Sequence, residues 1–173
     1  TVIVILSNLA PNFPTRAYSP YKSFLSQRTI SLNNRYDNSY INRVMKQNIL
    51  LNLRYMSGKE VNPRYINWEE IDQPFQFDML LKPAVTFAYH EDVLPEYQEK
   101  VILTGNARFQ KKEGFKSDGY LVGDGVCHLA SLINWAARDA ELQVYVPKNH
   151  NFADIPEIPK DYGVSIYFHP GRS

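Results

Sequence analysis

The sequence predicts an α+β domain, a mixed or antiparallel sheet packed against two main helices, with a cysteine at the N-terminus of the second helix. Three observations predict it. Apolar residues recur at helical spacing over 40–55 and again over 129–140. Short runs with strand patterning stand outside those two stretches, at Val2 to Leu6, Thr29 to Leu32 and Phe75 to Met79. The chain then closes as helix, strand, loop and strand.

Taken in order, Val2-Ile3-Val4-Ile5-Leu6 reads as a buried strand. This run is too short for a membrane helix and lacks the basic start and cleavage site of a signal peptide. A chain that opens inside an apolar run suggests a trimmed or processed start. Pro11, Pro14 and Pro20 make a stiff extended loop that carries Phe13, Tyr18 and Tyr21. Thr29 to Leu32 alternates like a short strand and meets a turn at Asn33-Asn34. Asp37 or Ser39 is expected to cap a helix from about Tyr40 to Tyr55, ended by Gly58. Ile41, Val44, Met45, Asn48, Leu51 and Tyr55 mark one face of it, and Ile49, Leu50 and Leu53 widen that face, so the helix should be mostly buried. Residues 58–74 read as a polar loop.

Phe75, Phe77 and Met79 alternate with polar residues as in a half-buried strand. Lys82-Pro83 breaks that run and Ala84 to Tyr89 resumes it, predicting a hairpin. Pro95 opens a short helix, with an extended Val101-Ile102-Leu103 as the rival reading. The glycine- and lysine-rich stretch from Gly105 to Gly123 is a loop feeding a site, or an ordinary hairpin. Leu142 to Val146 and Gly163 to Phe168 read as strands, joined by a loop over Pro147 to Pro159. No repeat or internal boundary divides residues 1–173, so a single domain is expected.

Composition narrows the function classes. A formal charge of +1, from 19 basic and 18 acidic residues with no basic block, gives no reason to expect nucleic acid or a membrane surface as partner. No apolar run is long enough to span a bilayer. The single cysteine cannot form an internal disulfide, and its count leaves the redox compartment open. Twelve tyrosines raise the aromatic fraction to 13%, which fits a half-buried sheet face and equally invites a glycan-stacking surface.

The stretch Gly123-Asp124-Gly125-Val126-Cys127-His128 holds that cysteine at the start of the second helical pattern. Leu129, Leu132, Ile133, Ala136, Ala137 and Ala140 form its buried stripe, while Ser131, Asn134 and Arg138 share a polar face with Cys127. A thiol in the first turn of a helix lies near unpaired N–H groups and the positive end of the dipole, both of which favour the thiolate. The same residue also serves elsewhere as a small buried hydrophobe. As a nucleophile Cys127 needs a base, for which His150 is the first candidate, His169 the second, and His128 a neighbour pointing about 100° away. Asp161 or Asp154 would orient that base, and helix-start N–H groups would hold an oxyanion. Asp124, His128 and Ser131 are the expected substrate contacts. Cys127, His128 and His150 lack a zinc-binding spacing, so neither metal nor cofactor is expected.

Gly125-Val126-Cys127-His128, the helix with Ser131 and Ala136, Leu142-Gln143-Val144 and Asn149-His150 together resemble the VanW-like family of bacterial cell-surface proteins. The family shows a G-G-I-C-Q entry, a Ser/Thr-rich helix, an A-G-L strand entry, a histidine and a later aspartate. Ala140-Glu141-Leu142, His150 and Asp161 answer the last three, and Ser31-Leu32-Asn33-Asn34-Arg35 is similar to the segment that often opens the module. The resemblance is best over 114–168. His128 replaces the family's Gln and Asp124 one of its glycines. The resemblance implies an extracellular, cell-surface location and a peptidoglycan connection, without a reaction. Two functions are therefore expected to compete: cysteine-dependent acyl transfer or hydrolysis on a cell-wall peptide, and a non-catalytic peptidoglycan- or glycan-binding scaffold with a packed cysteine.

Overall fold

Helix α1 spans Ser39–Met56, one residue beyond the predicted range at each end. Its cap is Asn38 rather than Asp37 or Ser39, and the Asn38 side chain accepts from the Tyr40 and Ile41 N–H groups at 2.9 and 3.2 Å. Val44, Ile49, Leu50, Leu51 and Leu53 are all buried along it. Each stabilises the fold by about 1.5–3 kcal/mol relative to an exposed position. The computed structural model describes residues 2–8, 23–33, 35–82, 84–119 and 121–166. The proline-rich loop and His169 lie outside them.

Strands β1 (Val2–Asn8), β2 (Ser23–Ile30) and β3 (Phe75–Leu80) form a mixed sheet in the order β2-β1-β3. The β1–β2 pair is antiparallel from Val2↔Ile30 to Asn8↔Ser23, and β1–β3 is parallel from Val2↔Phe75 to Ser7↔Leu80. Along β3, Phe77 and Met79 are buried between exposed Gln76 and Asp78, the alternation the sequence carries. The expected hairpin does not form. β3 pairs with β1, while β4 (Thr86–Ala88) pairs in parallel with β5 (Val101–Thr104), the extended alternative at that stretch. Pro95 opens only one 3-10 turn, Pro95–Tyr97. The polar 58–74 segment holds a one-turn helix, α2 (Trp68–Ile71), capped by Asn67.

Helix α3 (Val126–Asp139) packs against β1, β2 and α1, which makes an α+β architecture built on two long helices. Leu129, Leu132, Ile133 and Ala136 are buried, as their spacing requires, whereas Ala137 and Ala140 lie at the edge of the core. After α3 the chain carries no strand through residue 166. Leu142 to Val146 still alternates half-buried with exposed, but has no ladder partner among the described residues. Two backbone bonds hold the closing segment instead, His150 N–H to Gly163 O at 3.3 Å and Ser165 N–H to Lys148 O at 2.9 Å.

Two devices place the start of α3. Gly125 has φ +95°, and a Cβ there would lie 2.8 Å from the Met45 carbonyl oxygen and 3.2 Å from Ile49 Cγ1 on α1. The second is the fully buried side chain of Asn48 on α1, which accepts from Lys116 N–H at 2.8 Å. It donates to the Lys116 and Asp124 carbonyls at 3.0 and 2.8 Å, clasping both ends of the loop before α3.

Gly58 shares the left-handed backbone of Gly125, with φ +69°, but nothing lies within 4 Å of its would-be Cβ. Gly58→Ala should therefore cost the backbone term alone, about 1–2 kcal/mol. Gly125→Ala should cost at least ~1 kcal/mol more through overpacking against α1, read as the difference in urea-unfolding free energy.

Candidate functional site

Cys127 is half-buried in the first turn of α3. The turn around it is already well bonded: Val126 N–H reaches the Gly123 carbonyl at 3.0 Å and His128 N–H the Gly125 carbonyl at 3.0 Å. Those two donors are thus committed within the helix and its entry turn. The Ser131 hydroxyl, fully buried, donates to the Cys127 carbonyl at 2.7 Å and accepts from Val164 N–H at 2.8 Å. Asn134 donates to the Tyr162 carbonyl at 2.9 Å. The expected polar face of α3 is therefore an inner face, covered by the segment from Tyr162 to Val164. Arg138 alone on that face is exposed, bonded to Asn134 Oδ1 at 3.1 Å.

His128 is buried, at 4% exposure. Its Nε2 lies 3.3 Å from the Tyr36 hydroxyl, and its buried Nδ1 has no hydrogen-bond partner among the described residues. An unmet buried ring nitrogen costs about 1–3 kcal/mol. Burial, the nearby Arg35 guanidinium and His150 push the His128 pKa down to about 3, so the ring is neutral at physiological pH. Arg35 is held by the Ser31 and Pro156 carbonyls, both at 2.7 Å, and by Glu157 at 3.2 Å. The 31–36 turn and the 155–158 loop are thereby locked together beside His128.

His150 returns to this cluster. Its ring stands edge-on to that of His128, with centroids 6.4 Å apart, and against the exposed Phe152 ring at 4.0 Å. Nδ1 is 3.1 Å from the Ala153 carbonyl. A carbonyl can only accept, so Nδ1 carries a proton and, in the neutral ring, Nε2 holds the lone pair. The structure thus joins His150 to the residue beside Cys127, and the Ala153 carbonyl takes the ring nitrogen that an orienting carboxylate would hold. Asp161 stands exposed on the 3-10 turn Lys160–Tyr162, and Asp154 is paired with Lys160 at 2.9 Å on the surface.

Asp124 closes the entry turn by accepting from Asp118 N–H at 2.8 Å. Burial pushes its pKa up to about 6, helped by the neighbouring Asp118 charge and opposed by the backbone bonds it accepts. Tyr36 is a site residue that sequence reasoning did not reach, and Arg35 entered it only as the end of a family-like segment. They lie in a turn some 92 residues from His128 in sequence, and nothing local to them signals an imidazole partner. Among the described residues no group of three His, Cys, Asp or Glu side chains is placed to hold a metal ion.

His128 and Asp124 have opposite effects on acid stability. The folded pKa of His128 lies below its unfolded value of 6.5, so its contribution is complete above pH 6.5 and is lost as pH falls towards 3. The folded pKa of Asp124 lies above its unfolded 3.8, so its contribution is complete below pH 3.8 and is lost as pH rises through 6. Where the windows overlap, from pH 3.8 to 6, the two oppose each other, the half-exposed Asp124 offsetting part of the histidine's slope. Asp124→Asn should uncover the histidine, with unfolding free energy falling by up to about 1.4 kcal/mol per pH unit from pH 6 to 4. Urea titrations across that window should show this slope in the variant and a flatter dependence in the parent.

No family model, curated protein or solved structure matches the chain.

Proposed function

We propose that the domain is a cysteine-dependent acyl-transfer or hydrolytic module acting on a cell-wall peptide at the bacterial surface. Cys127 is the nucleophile and His150 its base. One observation carries the proposal. The His150 imidazole is packed against the residue adjoining Cys127, with Nδ1 tied to a carbonyl so that Nε2 presents its lone pair. In the reaction Nε2 takes the thiol proton as sulfur attacks the carbonyl carbon, and returns it to the leaving amine. His128, neutral and sealed, is a positioning group rather than a proton carrier at physiological pH. The cell-wall substrate and the surface location rest on the VanW-like resemblance of residues 114–168.

The second reading is a non-catalytic peptidoglycan- or glycan-binding scaffold. Favouring it, the crevice formed by His150, Ala153, Ile155, Ile158 and Lys160 encloses no space for a water-sized molecule.

Alkylation of Cys127 by iodoacetamide separates the two. An active nucleophile should show a thiol pKa below the ordinary value of about 8.5, and His150→Ala should slow labelling at pH 7 by about tenfold. Labelling that occurs only after urea unfolding would end the nucleophile reading and support the scaffold.

A further inference from the structure

A second feature lies away from the imidazole cluster. Tyr40, Arg43, Val44, Gln47, Trp68, Lys111, Lys116 and Ser117 line an open groove of about 620 Å³ between α1, α2 and the loop before α3. Three lining side chains are cationic and none is a carboxylate. Lys116 projects its ammonium 3.6 Å from the centre of the Trp68 ring and bonds Gln47 Oε1. Gln47 in turn donates to Asp72 at 3.0 Å, so that carboxylate is bonded to an amide lining the groove. Arg43 lies over the Tyr40 ring at 5.7 Å. Burial and the Arg43 charge both lower the Lys116 pKa, while Asp72 raises it. Like charges are therefore gathered at partial desolvation cost, which an incoming anion would offset.

We propose that this groove binds an acidic sugar, its phosphate or carboxylate held by Lys116, Arg43 and Lys111 and its ring lying along Tyr40 and Trp68. The volume is within the ordinary range for small-molecule sites, roughly 300–1,000 Å³, and exceeds what a bare anion fills. Aromatic faces beside amide and hydroxyl groups suit a ring with one apolar side and a hydroxylated rim. Its cations and rings come from elements other than those that gather His128 and His150, so it does not depend on Cys127 chemistry.

The test is isothermal calorimetry on the intact chain with glucose 1-phosphate, glucuronate, inorganic phosphate and glucose. Saturable binding of either acidic sugar, tighter than phosphate or glucose, is expected, and the stronger of the two identifies the anion. Arg43→Gln and Lys116→Gln should each weaken it by about tenfold, the effect of one lost charge-assisted hydrogen bond. Lys148→Gln, a surface change outside the groove lining, should leave it unaltered. Failure of both acidic sugars to bind, binding of phosphate or glucose as tight as theirs, or unchanged affinity in Arg43→Gln and Lys116→Gln would overturn the proposal.

Discussion

The start of α3 can lie against α1 only because Gly125 puts no side chain between them. Everything assembled at this end of the molecule follows from that approach. Val126 and Leu129 enter the core, His128 turns inward beside Tyr36, and Cys127 is left at the half-buried margin. Asn48 holds the same junction through backbone groups on both sides of the turn, so the loop's path and the helix's position are set by one buried amide. A buried amide that satisfies three backbone groups is costly to lose, because each becomes an unmet partner.

The helices were legible because a period of 3.6 residues is local: Leu129, Leu132, Ile133 and Ala136 reveal their shared face without reference to the rest of the chain. Strand patterning was legible too, but only as half-burial. Phe75 to Met79 and Leu142 to Val146 alternate alike, yet the first joins a sheet and the second joins none. Alternation reports which side is wet; it does not report whether a neighbouring backbone is available to pair. The hairpin expected after β3 fails for the same reason, since the partner of β3 is β1, some 73 residues earlier in register.

The site shows the division more sharply. Cys127 in the first turn of the second helix was anticipated from residue order, and His150 comes to rest edge-on to His128. The inward role of Ser131 and Asn134 was not anticipated, since their cover arrives at Tyr162 to Val164. Asn48 looked like a polar interruption in an apolar face, when its amide is there to satisfy main-chain groups of a distant loop. Trp68 and Lys116 were unremarkable in their separate loops and acquire meaning only when α1 brings them together.

The guanidinium clamp and the amide clasp close loops of different length. Arg35 reaches the Pro156 carbonyl across 121 residues, whereas Asn48 reaches Lys116 across 68. Closing a larger loop demands more chain entropy, though the demand grows slowly with length. The amide clasp therefore has the lower closure cost, by only about half a kcal/mol. The His128 ring is enclosed by Tyr36 and His150, which reach it from opposite sides in sequence. Its acid-resistant neutrality belongs to the finished molecule, conferred by segments that only the fold brings together.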